Sequence, residues 1–145
     1  MRKSKVFRVV KTVKRSNKVG QALSLPKILN VNPRSIYNKV NEYATFVEEH
    51  EIDVTIMSET WEREGISLES LLKTDETEVI SNYSQRKEKG GRPAIIVKKD
   101  KFFIQDLTNT EIEIPWGVEA VWALLTPKIV TNASKIKRIV IGSIY

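Results

Sequence analysis

Residues 27–61 read KILNVNPRSIYNKVNEYATFVEEHEIDVTIMSETW, and this stretch decides the predicted fold. It begins with a short β-type run, residues 27–32, that ends before Pro33. Residues 36–50 place apolar side chains at helical spacing and charged side chains between them, which predicts an amphipathic helix. Residues 52–57 form a second β-type run that ends on a polar cluster. The predicted order is therefore strand, helix, strand.

A strand–helix–strand unit implies a crossover connection, so its two strands should be parallel and should end at the same edge of the sheet. Ligands bind at this edge in open α/β sheets. Asn30 or Asn32 at the end of the first strand can therefore converge with Glu59 at the end of the second. Amide and carboxylate oxygens, completed by water and phosphate, suit Mg²⁺. The alternative interpretation is a plain turn at Pro33 and a solvated glutamate.

The rest of the chain is rich in predicted strands. Residues 67–73 predict a short helix, and the turn KKDK at residues 98–101 predicts an antiparallel hairpin between the strands on either side of it. The further predicted strands are residues 78–83, 93–98, 102–106, 119–125 and 137–145. The expected class is α/β, with a mixed β-sheet and a flanking helix.

Composition excludes several classes of site. The chain has 145 residues and no cysteine, which excludes disulfides, thiolate metal sites and cysteine nucleophiles. A site with several histidines is excluded because His50 is the one histidine. No apolar run approaches the roughly 18 residues that cross a bilayer, so we expect no membrane partner and an intracellular protein, with the nucleus as one location.

The positive charge is concentrated at the start of the chain. Eight of the 24 basic residues lie within residues 1–18, which hold no acid, so the remaining residues carry 16 basic groups against 18 acids. Residues 1–26 are therefore interpreted as a basic arm and linker, and residues 27–145 as the domain. Such an arm contacts nucleic-acid phosphates or acts as an import signal, and the alternative is a solvated leader without a specific partner.

Four short motifs occur in a fixed order: NPRSIYNK at 32–39, DVTIMSETW at 53–61, GGRPAIIV at 90–97 and IGSIY at 141–145. With these motifs the chain resembles the endonuclease/exonuclease/phosphatase superfamily, in particular the endonuclease domain that precedes the reverse transcriptase of non-LTR retrotransposons. The resemblance covers the N-terminal half of that domain. It implies a partial four-layered α/β sandwich, Mg²⁺ or Mn²⁺ as cofactor, DNA as partner, a downstream reverse transcriptase, and hydrolysis of phosphodiesters.

The resemblance assigns roles at the positions that match. Asn32, with Asn30 as the alternative register, would help place the metal and the scissile phosphate. Glu59 would bind the metal, and Tyr145 would donate a hydrogen bond to charge developing on the phosphate. The alternative interpretation of Tyr145 is a plain residue at a strand end. Three basic residues would contact the DNA backbone without reading sequence: Arg34, Arg86 and Lys87.

The sequence departs from the family pattern in its catalytic pairs. Neither the Asp-x-Asn pair nor the terminal Asp-His pair of a full domain occurs in these residues. We therefore expect a fragment that is inactive alone, and the alternative is a non-catalytic nucleic-acid-binding or inert remnant. Trp61 and Trp122 are interpreted as packing groups, with base-stacking platforms as the alternative, and His50 is interpreted as a surface residue. One sheet face, with Ile95 and Val97, is expected to be uncovered, which predicts poor solubility or dimerisation.

Overall fold

The computed structural model describes residues 26–62, 65–81, 91–108, 117–129 and 137–145, together with the backbone of residues 8–9. Within these ranges the helices are α1, Val40–Glu49, and α2, Leu68–Leu72, and a 3-10 turn, Tyr37–Lys39, precedes α1. The strands are β1 Arg8–Val9, β2 Ile28–Val31, β3 Val54–Met57, β4 Thr77–Ser81, β5 Ala94–Lys98, β6 Phe102–Asp106, β7 Ala120–Pro127 and β8 Ile139–Ile144. Every strand except β1 overlaps a strand predicted from the sequence.

The first sheet contains the strand–helix–strand unit. Its strand order is β1-β2-β3-β5-β4. Strands β2 and β3 are parallel, with Leu29 opposite Thr55, which confirms the predicted crossover. The other neighbours in this sheet are antiparallel, and β1 brings two residues of the basic arm against β2.

The second sheet is antiparallel, in the order β6-β7-β8. The hairpin predicted across residues 98–101 is wrong, because β5 pairs with β3 and β4 while β6 pairs with β7. Both edges of β5 are already occupied, so no edge is left for β6, and the turn carries the chain from one sheet to the other. Lys101 Nζ donates to the buried Asp53 carboxylate over 2.5 Å at this crossing.

Apolar side chains cover both faces of the first sheet. One face packs against α1 and α2, with Leu29, Met57 and Leu72 among its buried residues. The other face packs against the second sheet, where Ile95 and Val97 have no exposed surface. The expectation that these two side chains are uncovered is therefore wrong. Since β6 left the first sheet, it could join β7 and β8 in a layer that covers them.

The resulting arrangement has helices, a mixed sheet and a second sheet as successive layers, and it confirms the predicted α/β class. The helices in the described ranges lack the length and apolar character of a membrane-spanning segment. Ser143 Oγ donates to the Met57 carbonyl over 2.7 Å, and this buried bond joins the two sheets near the ends of β3 and β8.

Tyr43 links α1 to the first sheet and makes the stability of the fold depend on pH in the alkaline range. Its hydroxyl donates to Thr55 Oγ1 over 3.0 Å, and burial raises the pKa of Tyr43 to about 12 from 10.0. Between these values the unfolded chain loses the proton first, so stability is intact below pH 10 and falls by about 3 kcal/mol as the pH rises to 12.

In Tyr43→Phe this loss of stability between pH 10 and 12 should disappear, as urea unfolding at several alkaline pH values would measure. An unchanged slope would contradict the assignment.

Candidate functional site

Asn32 and Glu59 meet at the edge where β2 and β3 end, as the parallel pairing requires. Asn32 Nδ2 donates to Glu59 Oε1 over 2.7 Å. The other end of the amide is also held, because Asn32 Oδ1 accepts from the Arg34 N–H over 3.1 Å. Asn30 lies within β2, and among the described hydrogen bonds it has none to Glu59. The structure thus favours Asn32 over Asn30 as the partner of Glu59.

Backbone hydrogen bonds join the loop that follows β2 to the loop that follows β3. The Ser35 N–H donates to the Glu59 carbonyl over 3.1 Å, and the Ile36 N–H donates to the Thr60 carbonyl over 3.2 Å. The Lys39 ammonium group holds the first loop from the other side, since Nζ donates to the Ser35 carbonyl over 2.9 Å. The backbone that carries Glu59 is therefore fixed on its β2 side.

A third loop, just before β5, fixes the other side of the Glu59 loop. Both the N–H and the hydroxyl of Thr60 donate to the Arg92 carbonyl, over 3.2 and 2.7 Å. The next residue, Trp61, donates its N–H to the Gly91 carbonyl over 3.4 Å. Thr60 and Arg92 are both buried. The three loops after β2, after β3 and before β5 thus form one hydrogen-bonded layer, which we call the loop layer.

The loop layer holds an unusual concentration of left-handed backbone. Five non-glycine residues in the described ranges have positive φ, and four of them lie in these loops: Arg34 at 45°, Ser35 at 77°, Trp61 at 54° and Arg92 at 68°. Such conformations are unfavourable for residues with a Cβ and persist only where surrounding contacts enforce them. Strain of this kind concentrates at functional sites, which makes this edge the strongest candidate among the described residues.

The second sheet contributes Glu119 and Tyr145 to the same edge. Their backbones exchange two hydrogen bonds, of 3.0 and 2.7 Å, beyond the ends of β7 and β8. Glu119 Oε2 accepts from the Arg92 N–H over 2.7 Å, and the Tyr145 ring lies beside Gly91. Tyr145 is half exposed. Sequence reasoning placed Tyr145 near the site but missed Glu119, whose position before an apolar strand gave no chemical signal.

The other residues singled out from the sequence have mixed outcomes. Arg34 is exposed and belongs to the loop layer, while Arg86 and Lys87 lie outside the described residues. His50 is an exposed residue at the end of α1, where its ring stacks on Phe46 with centroids 4.1 Å apart. The exposure of His50 confirms the surface interpretation. Because His50 comes before β3, it lies at the opposite edge of the sheet from Glu59.

The tryptophans differ from each other. Trp122 packs against Gly142 in the second sheet, which confirms its interpretation as a packing group. Trp61 is 37% exposed and sits in the loop layer, so its interpretation as a packing group stays a prediction.

The residues at this edge fit one kind of metal site. The described residues contain no group of three or more acidic or histidine side chains that could enclose a cation. Mg²⁺ commonly binds through one or two carboxylates, and water and substrate phosphate complete the octahedron. Glu59 offers one such carboxylate, whose Oε2 has no described hydrogen bond. These residues therefore fit a cation that a phosphate of the ligand also binds.

The site lies away from a cavity of about 470 Å³ between α1 and α2. That cavity is lined by apolar side chains with Asp53 and Lys98 among its polar residues, so it opens at the edge where β3 begins. Neither Asn32 nor Glu59 lines it. Sites for small molecules are usually concave, and an open edge is better suited to a polymer.

Comparison of the chain with protein-family models, with curated proteins and with solved structures found no match in any of the three. The resemblance to the endonuclease/exonuclease/phosphatase superfamily is therefore a prediction carried by the four sequence motifs.

Proposed function

We propose that this chain provides the metal- and phosphate-binding part of a Mg²⁺-dependent DNA endonuclease site of the non-LTR retrotransposon type. The observation that carries the proposal is the 2.7 Å hydrogen bond between Asn32 and Glu59. It joins two motifs that are 27 residues apart in the sequence. The strained loop layer around this pair supports a ligand-binding role over a purely structural one.

Each residue at the edge would have a separate task. Glu59 would hold the cation, which when bound would supply positive charge to a phosphate oxygen. Asn32 would orient the Glu59 carboxylate and present its amide to the phosphate. Arg34, exposed beside Asn32, would contact the backbone of the nucleic acid. Tyr145 would donate a hydrogen bond from its hydroxyl to a phosphate oxygen.

The second candidate is nucleic-acid binding without cleavage. Its support is the charge distribution, with a formal net charge of +6 and the excess in residues 1–18. Activation of a water for in-line attack needs a general base. The family's Asp-x-Asn and Asp-His pairs are absent from this sequence, and His50 lies at the opposite edge. We therefore expect binding of metal and DNA by this chain, with little or no cleavage.

Glu59→Gln separates the metal site from general charge attraction. The variant keeps the shape of the side chain and removes its negative charge, so we expect Mn²⁺ affinity, measured by titration calorimetry, to fall by about tenfold or more. DNA binding measured by fluorescence anisotropy without metal should stay unchanged and weaken with salt. Plasmid nicking in Mg²⁺, if the wild type shows any, should be lost.

Glu48→Gln is the matched control, because Glu48 is an exposed acid on α1 with no described ion pair. It should leave Mn²⁺ binding unchanged. Equal losses in the two variants would mean that the cation binds to diffuse negative charge, and the proposed site would then be rejected. If Glu59→Gln lost DNA binding in the absence of metal and Glu48→Gln did not, the assignment of Glu59 to the metal and of other residues to DNA would be rejected.

A further inference from the structure

We propose that Trp61 is a stacking platform for a nucleobase next to the bound phosphate, so that the preferred substrate presents an unpaired base at this position. The inference rests on the proposed function and adds a substrate class to it, namely single-stranded or locally opened nucleic acid. Three observations carry it: the exposure of Trp61, the way its neighbours hold it, and its position two residues after Glu59.

Trp61 is exposed at a place where its backbone is strained. The side chain is 37% exposed, and φ is 54°, in the left-handed region that bulky residues rarely adopt. An apolar ring that merely filled space would gain by turning inward, because burial removes apolar surface from water. Trp61 nevertheless keeps more than a third of its surface exposed, at a strained backbone position.

Buried anchors hold Trp61 on both sides. Thr60 has no exposed surface and bonds to the Arg92 carbonyl through both its N–H and its hydroxyl. Glu62 is 5% exposed, its Oε1 accepts from the Leu68 N–H over 2.8 Å, and its carbonyl accepts from the Arg92 guanidinium. Since Arg92 binds both anchors, the backbone on either side of Trp61 is held in place without a ligand.

A second aromatic ring also lies beside Gly91. The Gly91 carbonyl accepts from the Trp61 N–H over 3.4 Å, and the half-exposed Tyr145 ring lies within about 3.0 Å of the position that a Cβ on Gly91 would take. Two exposed rings beside a phosphate-binding pair suit successive units of a nucleic-acid strand, since every base has a face that can stack. A protein ligand would use the same apolar surface, but its binding would not depend on bases.

The experiment compares two single-stranded 12-mers that have the same sugar–phosphate backbone. One is oligothymidylate and the other carries abasic residues at every position, and both are labelled with fluorescein and titrated with the full chain in Ca²⁺. Stacking on one aromatic side chain predicts that the wild type binds the thymidylate roughly 5- to 150-fold more tightly than the abasic strand. Trp61→Ala should reduce this difference by at least about fivefold, by weakening thymidylate binding alone, and the Tyr145 ring accounts for any preference that remains. Trp61→Phe should keep most of it.

Phe103→Ala is the matched control, because Phe103 is 63% exposed on the outer face of the second sheet. It should bind both strands like the wild type. A second measurement guards against misfolding: thymidylate should quench tryptophan fluorescence in the wild type and much less in Trp61→Phe.

The outcomes separate this inference from the proposed function. Equal affinity of the wild type for the two strands, or equal weakening of both in Trp61→Ala, would reject the stacking role and leave the phosphate site standing. Failure of the wild type to bind either strand would reject both.

Discussion

Gly142→Ala is expected to lower the free energy of unfolding by about 2 kcal/mol, although it adds a single methyl group. Gly142 lies opposite Trp122 in the second sheet, and a Cβ built on it would stand 2.8 Å from Trp122 Cη2 and closer to two other ring atoms. The ring would have to move away. If about half of the ~200 Å² that a tryptophan buries became exposed, the loss would be of this size. Urea unfolding followed by circular dichroism measures it.

The sign of the effect should reverse when the ring is absent. In a Trp122→Ala background the three ring atoms nearest to the added methyl group are absent, and alanine is favoured over glycine in a strand by roughly 0.5–1 kcal/mol. Gly142→Ala should therefore be neutral or stabilising there. A loss of equal size in both backgrounds would show that the methyl group clashes with something other than Trp122.

Gly91→Ala is expected to cost about 3 kcal/mol and to disturb the candidate site. Gly91 has φ of 70°, and an added Cβ would stand 2.5 Å from Glu119 Oε2 and 2.9 Å from Tyr145 Cδ1. The strain of a left-handed alanine, roughly 1–2 kcal/mol, is then joined by displacement of the carboxylate that accepts from the Arg92 N–H. Because Arg92 fixes Thr60, Mn²⁺ binding at Glu59 should weaken as well.

Gly65→Ala provides the matched control for this change. Gly65 has φ of 81°, but nothing lies within 4 Å of the position of its Cβ. It should therefore show the backbone strain alone, about 1–2 kcal/mol, and leave Mn²⁺ binding unchanged. Equal losses of stability in the two variants would mean that the contacts of Gly91 with Glu119 and Tyr145 contribute nothing.

Local sequence patterns predicted the parts of the fold whose partners are close in the chain. The β2–α1–β3 unit follows from hydrophobic periodicity, and the parallel pairing of β2 with β3 follows from its connection. The convergence of Asn30 or Asn32 with Glu59 was predicted for the same reason, and the structure pairs Asn32 with Glu59. In each case one short-range rule was enough.

Features that depend on distant partners were not predictable in this way. A polar turn between two apolar runs indicates a hairpin, but β5 and β6 separate because β4 occupies the free edge of β5. In the sequence Glu119 is only the first residue of a predicted strand, and its contact with the Arg92 N–H depends on how the two sheets pack. The backbone on either side of Trp61 is likewise held by Arg92, about 30 residues away in sequence, and no local pattern around Trp61 indicates this partner.

The central claim is that Asn32 and Glu59 form a cation site, and paramagnetic broadening by Mn²⁺ tests it most directly. In a ¹⁵N-labelled chain, substoichiometric Mn²⁺ should broaden the side-chain amide of Asn32 and the backbone amide of Glu59 first, while the amides of α1 around Glu48 stay sharp. In Glu59→Gln the selective broadening should vanish. Broadening that begins on the acidic surface of α1, or that persists at Asn32 in Glu59→Gln, would contradict the account.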